Sequence, residues 1–389
     1  MAIQNNNTYS SWAQQISLLS NRLISKQGLC ERMGQPAVDM VRSLLENYIK
    51  RSYESIKIKG LFNSFKRVLI QDSTTLSLPC SLVNHFHGNK SNGSQRAVAR
   101  IQCVFDYLSG SFSYFGLHSY TENDQSAAMQ VSSYIKKGDL IIRDLGYFTF
   151  NSIESIIEKK AFFVSRLPHN VSIFDIKLKS SIDILKLLRK RNHFDGWVLI
   201  GSNQRIKVRL IVKRVPQHIA QERRRKAKKN NDKRFSYSNR YLKLLDYTFY
   251  ITNVEENIWN YEQVYKAYRV RWKVEIIFKS WKSHFYIDKL IHKQCNNYNR
   301  VKCIIYLMLL FITLIHIKLI NPIEKRLIEK YNKQISLLKI AKIISNNFRL
   351  IIDQSLELLD HFIIKYCCYE TRNDRVNIKQ IMTLEDNLP

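Results

Sequence analysis

Two carboxylates stand where apolar runs stop. Arg67-Val-Leu-Ile-Gln-Asp72 and Asp139-Leu-Ile-Ile-Arg-Asp144 each read as a short strand ending in an aspartate. At the C-terminal ends of neighbouring strands such side chains can converge. Converging carboxylates with open positions suit Mg²⁺, a hard cation that prefers oxygen ligands. Taken singly, an Asp after a strand is more often a turn or cap residue. A second group lies near the chain's last third. Tyr268, Arg271, Glu275 and Lys282 occur at offsets 0, +3, +7 and +14. On one continuous helix they fall at about 0°, −60°, −20° and −40°, a stripe roughly 60° wide. Val270, Val274, Ile276, Ile277, Phe278 and Trp281 occupy nearly every other direction, so that helix is expected to be largely buried. A buried Glu beside Arg and Lys is either ion-paired or a metal ligand.

These residues need elements to hold them. Residues 1–62 read as a helical module, with apolar residues at helical spacing before and after Gly34-Gln35-Pro36. Residues 97–118 alternate as a hairpin around Leu108-Ser109-Gly110-Ser111. Helical periodicity over 124–135, a strand at Asp139–Asp144, a helix at 152–160 and a strand at 161–167 follow. The β-β-β-α-β-α-β order predicts an α/β fold, a mixed sheet flanked by helices. Residues 171–250 interrupt it as a β-rich insertion carrying the basic run Arg223-Arg-Arg-Lys-Ala-Lys-Lys229. A long helix is expected over 257–284, and further helices fill 293–389. The expected domains are therefore 1–62, 63–292 with the insertion, and 293–389.

The 389 residues carry 62 Lys and Arg against 32 Asp and Glu, a net charge of +30. That surplus points to a polyanionic partner, nucleic acid or an anionic membrane surface. The longest apolar run, Cys303–Ile315, is thirteen residues. It is short of the ~20 that a spanning helix needs, so no membrane partner is expected. The polar start argues against a secretory signal. Seven scattered cysteines fit reduced thiols in a cytoplasmic, nucleoid-associated protein. His85-Phe-His87 and His292-x₂-Cys295 lack the second pair that a zinc site needs. The basic run Arg223, Arg224 and Arg225 is expected to track DNA phosphates rather than serve only as a solvated loop.

The sequence resembles the IS4-type DDE transposases. Three segments carry the resemblance: Gln71-Asp72-Ser-Thr-Thr-Leu-Ser-Leu-Pro79, Ile141-Ile-Arg-Asp144-Leu-Gly-Tyr-Phe, and Tyr268-x₂-Arg271-x₃-Glu275-x₆-Lys282. Ala161–Pro168 and Ile251-Thr-Asn253 are softer matches in the same order. The resemblance implies a ribonuclease-H-like core and an acid triad of Asp72, Asp144 and Glu275 holding Mg²⁺, with Mn²⁺ as substitute. It also implies phosphate contacts from Tyr268, Arg271 and Lys282. The family's insertion carries an aromatic that receives a flipped base; Tyr247, Phe249 and Trp259 all lie nearby and none stands out. The implied activity is cutting and joining DNA at the ends of an insertion sequence, on double-stranded DNA, as a homodimer when DNA is bound. The alternatives are a nuclease of the same fold that does not join, and a DNA-binding protein with a decayed site.

Overall fold

A computed structural model describes residues 8–51, 60–90, 94–189, 191, 193–229, 237–353 and 356–369. Parts of the helical regions expected at the two ends of the chain lie outside the described residues. In chain order the elements are α1 (Tyr9–Ser20), α2 (Lys26–Arg32), α3 (Gln35–Lys50), β1 (Val68–Leu78), β2 (Ala97–Asp106), β3 (Ser111–Ser119), α4 (Asp124–Gln130), β4 (Leu140–Arg143), α5 (Phe150–Glu158), β5 (Phe162–Arg166), β6 (Ile173–Phe174) and α6 (Ile184–Leu188). There follow β7 (His193–Ile200), β8 (Ile206–Arg214), α7 (Gln217–Lys228), α8 (Asn239–Leu244), β9 (Tyr247–Thr252), α9 (Tyr261–Arg269), α10 (Trp272–Ser283), α11 (Tyr298–Ile315), α12 (Asn321–Tyr331), α13 (Leu337–Asp353) and α14 (Leu356–Cys367). The run β1-β2-β3-α4-β4-α5-β5 is the mixed α/β order that the sequence predicts.

The chain forms two compact units. Of the described residues, the first comprises those within 8–51, 71–123 and 272–369, and the second those within 60–70 and 124–271.

In the first unit the strand order is β3-β2-β1. The β2–β3 hairpin pairs antiparallel from Ala99↔Ser119 to Asp106↔Ser111, with a register shift between Val104 and Phe105. Its turn needs Gly110, whose φ is +63° and against which the Asn321 side chain packs too closely for a Cβ. Asn321 Nδ2 donates to the carbonyls of Ser109 (3.1 Å) and Gly110 (3.0 Å), tying the turn to the start of α12. The helix α3 begins with Gly34 as cap and proline in its first turn. It buries Val38, Val41 and Leu45, each worth about 1.5–3 kcal/mol relative to exposure. α3 packs on α11 and β3, and α10 packs on α13. From Tyr298 to Tyr331, α11, a π-helical turn (His316–Ile320) and α12 run on as one apolar helix. Its length and composition alone would let it cross a membrane, yet 67% of its most apolar window is buried inside the structure, as in a core helix.

In the second unit the order is β4-β5-β9-β8-β7-β6, beside the opening residues of β1. β4 and β5 are parallel, starting at Leu140↔Phe162. β5–β9, β9–β8, β8–β7 and β7–β6 are antiparallel. β7 and β8 form a hairpin that turns at residues 201–204 within the β-rich insertion. The Arg209 side chain is wholly buried in it. Arg209 bonds Asp195 through Nε (2.7 Å) and Nη2, and also the carbonyls of Val254 and Trp259. That network pins the insertion to the segment leading into α9.

Two expectations are corrected. Asp72 is not at a strand end: β1 continues to Leu78, because Ser73-Thr-Thr-Leu-Ser-Leu alternates buried and less buried positions with the period of a strand. The single helix expected over 257–284 is two. The amides of Val270 and Arg271 bond three residues back, to Ala267 and Tyr268, which tightens and ends α9. Burial of Val270 and the tether on the Tyr268 hydroxyl hold the turn there.

Candidate active site

Asp144 immediately follows β4 and has extended backbone (φ −80°, ψ 170°) before a short 3₁₀ turn, Leu145–Tyr147. It is half-buried. The Tyr268 hydroxyl, from near the end of α9, donates to Asp144 Oδ1 at 2.9 Å. Two motifs 124 residues apart in sequence therefore meet in one hydrogen bond. Burial, and then the Asp144 charge, push the Tyr268 phenol well above its usual range, so it stays a donor. Its ring packs on Tyr250, centroids 5.0 Å apart. The Arg271 guanidinium lies 5.9 Å from the Tyr268 centroid.

Behind Asp144 the strand is anchored by Arg143, which is only 4% exposed. Its Nη1 donates to Ser152 Oγ and its Nη2 to the Ala128 carbonyl at 3.1 Å. Burial pushes this guanidinium down to about 9. Tyr147, two residues past the Leu145 turn entry, is buried against Ala127 and Ala128 of α4.

In the first unit, Asp72 is half-buried on β1, and its Oδ1 accepts the Ser73 amide at 2.8 Å. Burial, and then the Asp72 charge, raise the thiol of Cys103 on β2, which places the carboxylate beside that strand. Glu275 lies in the first turn of α10 and is half-buried; Lys282 lies in its last turn and is exposed. Within each unit, among the described residues, no three Asp, Glu, His or Cys side chains form a metal cluster. The donor chemistry nevertheless fits a hard divalent cation. The three side chains offer carboxylate oxygens, and Asp72 and Asp144 are each oriented by a hydrogen bond.

The basic run is a helix. α7 is capped by Pro216 and built from good helix formers. Arg223 is turned inward and donates to the carbonyls of Leu245 and Tyr247 and to Thr248 Oγ1. Arg224 pairs with Asp246. Arg225 is exposed.

An open cleft of about 1120 Å³ in the second unit is lined by Leu145, Arg166, His169, Arg223, Tyr241 and Phe249, among others. His169 packs on Phe249 (5.0 Å) and Tyr241 (5.6 Å), and Tyr241 stacks on Tyr237 (5.1 Å, 21°). Burial, helped by Arg166 and Arg223, pushes His169 down to about 4, so the ring is neutral. Arginines beside flat rings suit phosphate oxygens and base faces. Sequence reasoning missed this lining, because its residues come from separate segments with no shared spacing. Arg166 in the soft match Ala161–Pro168, Arg223 in the basic run and Phe249 among the candidate aromatics each carried a separate signal, with nothing to join them. Among the candidate aromatics, Trp259 is wholly buried and spends its indole N–H on the Leu61 carbonyl (2.7 Å), while Phe249 lines the cleft.

The profile of the Transposase DDE domain matches residues 63–314. The chain is 27% identical over 359 residues to the transposase of insertion sequence element IS231B from Bacillus thuringiensis subsp. berliner, covering 87% of this chain and 74% of that protein. It is 25% identical over 386 residues to the IS231C transposase of the same organism, covering 93% and 80%. A piggyBac transposase synaptic complex with hairpin DNA aligns with a TM-score of 0.45 at 10% identity, over 93% of this chain and 72% of that one. The match across well over half of the sequence carries the conclusion that this chain belongs to the DDE transposases, enzymes that act on DNA.

Proposed function

We propose that this transposase cuts DNA strands at the ends of an insertion sequence and joins them to new DNA, with Asp72, Asp144 and Glu275 holding Mg²⁺, or Mn²⁺ in its place. The observation that carries the reading is the Tyr268–Asp144 hydrogen bond, which joins the second and third signature motifs. Divalent cations held by the three carboxylates supply activation of the attacking oxygen and charge stabilisation of the leaving one. The chain's own residues do the rest. Tyr268 fixes the Asp144 carboxylate in one orientation. Arg271 and Lys282 neutralise charge that develops on the phosphoryl oxygens. Arg223 charges the cleft from its wall, Arg224 supports it through Asp246, and Arg225 meets backbone phosphate. Water serves as nucleophile in the first cut and a DNA 3′-hydroxyl in the second, because only the attacking group differs. Two element ends must meet, so the DNA-bound form is a homodimer. The protein works on the cell's own double-stranded DNA in the nucleoid, with no membrane partner.

The test is strand cleavage on a labelled duplex end. Asp72→Asn, Asp144→Asn and Glu275→Gln each lower cleavage by about 10²–10³-fold or more, while DNA affinity stays near wild type. A folded Glu275→Gln protein that cleaves normally overturns the assignment of the third acid and moves the search to Glu262 or Asp288.

A further inference from the structure

Among the described residues Arg143 and Arg209 are the buried arginines, and Arg67 and Arg326 are partly buried; three of these four are matched by an acid. Arg67 bonds Asp139, Arg209 bonds Asp195 and Arg326 bonds Asp360. Arg143 has neutral partners, the Ser152 hydroxyl and the Ala128 carbonyl. Among the described residues its Nε has no partner at all. A buried cation left without a carboxylate is costly, and an apolar side chain of similar volume is often neutral or stabilising in its place. Stability alone therefore does not account for it.

Its position does. Arg143 is the last residue of β4, and Asp144 follows in extended backbone. Successive side chains of such a strand point to opposite faces, so Arg143 enters the side of α4 and α5 while Asp144 faces away. The Arg143–Ser152 bond closes the chain over the eight residues from Asp144 to Asn151. The Arg143–Ala128 bond fixes that loop to α4, and Tyr147 packs on Ala127 and Ala128 of the same helix. The Thr149 hydroxyl accepts the Ser152 amide, so Ser152 is itself held in place. The planar fork supplies two directed donors from one rigid group, which neither lysine nor an apolar chain can reproduce.

We propose that Arg143 is a positioning residue that fixes the backbone carrying Asp144, and with it the direction in which that carboxylate meets a divalent cation. This rests on the reading of Asp144 as a metal-holding acid.

The experiment compares Arg143→Met, Arg143→Lys and Ser152→Ala with wild type and Asp144→Asn in the full chain. It measures duplex-end affinity, melting temperature, the melting shift caused by Mn²⁺ alone, and single-turnover cleavage. For Arg143→Met, cleavage falls about 100-fold, the scale of a misplacement near 1 Å. Its melting temperature stays at or above wild type, its DNA affinity is unchanged, and its Mn²⁺-induced shift shrinks. Ser152→Ala loses about 10-fold in the same direction, within the range for a supporting hydrogen bond to a metal ligand. Arg143→Lys does not restore the rate. The proposal is overturned if Arg143→Met cleaves at a near wild-type rate with a full Mn²⁺ shift. It is equally overturned if the loss tracks a fall in melting temperature and DNA affinity in both Arg143→Met and Ser152→Ala. An Asp144→Asn protein that cleaves normally instead removes the underlying reading, whatever the Arg143 variants do.

Discussion

In the first unit, His316 sits in the π-helical turn, 2% exposed, edge-on to Phe112 at 5.1 Å and Phe105 at 6.2 Å. Among the described residues its Nε2 has no partner. In the second unit, Arg143 is almost as deeply buried, beside Asp144. The two regions bury a base under opposite terms. Desolvation, with a smaller push from Lys273, drives His316 down to about 3, so it simply gives up its proton. Arg143 is pushed only to about 9 and stays charged at neutral pH. A core accommodates a base cheaply when the base can become neutral. Keeping one charged has to be supported by what that charge's hydrogen bonds arrange.

The sharpest control is the third buried base, Arg209. Asp195→Ala removes the nearer acid from its guanidinium, which has zero exposure and keeps Glu256 at 4.0 Å. Denaturant unfolding is expected to show a loss of about 3–5 kcal/mol. A loss below 1 kcal/mol would mean that Glu256 and the carbonyls of Val254 and Trp259 suffice, and the contrast with Arg143 would weaken. Next comes acid. His316 has a folded pKa below its unfolded one, so the unfolded chain binds the extra proton. Its contribution is full above about 6.5 and is lost as pH falls toward about 3. His169, pushed to about 4, acts in the same sense. His316→Leu should flatten the acid limb of the stability–pH curve by an amount on the order of 5 kcal/mol; an unchanged limb would show that the ring is not desolvated. Asn321→Ala, just past the same π turn, removes two hydrogen bonds to the β2–β3 turn and should cost about 1–2 kcal/mol in thermal unfolding. The smallest effect is expected for Thr149→Ala, which removes the α5 cap at about 1 kcal/mol. Cleavage per folded molecule should fall less than in Ser152→Ala, because Thr149 reaches Arg143 only through the Ser152 amide.

Much of this was legible in the sequence, for physical reasons. Period-two alternation gave the β2–β3 hairpin, and apolar runs gave β4 and β5. The spacing of Tyr268, Arg271, Glu275 and Lys282 pointed to one group of residues, although Tyr268 and Glu275 lie on separate helices. What failed to show were features decided by tertiary contacts. The Val270–Arg271 break is invisible to helical periodicity because Val270 suits a helix interior nearly as well. Asp72 looked terminal because a charged residue interrupts an apolar run, while the strand resumes beyond it. α7 has no apolar stripe long enough to mark it as a helix, so its arginines read only as charge. The unmatched acid partner of Arg143 is a property of burial, and no spacing rule encodes it.

The break between α9 and α10 divides the signature into two stretches with different tolerance to length change. Glu275 and Lys282 share one helix, so a single inserted residue between them would swing one against the other by about 100°. Tyr268 and Glu275 lie on separate helices, with the three-residue-back bonds of Val270 and Arg271 marking a tightened turn between them. An insertion there adds chain to a turn instead of rotating a rod. Among drifting copies of such a gene, the Glu–Lys interval should be the stiffer ruler, and length variants that stay active should accumulate at 270–271.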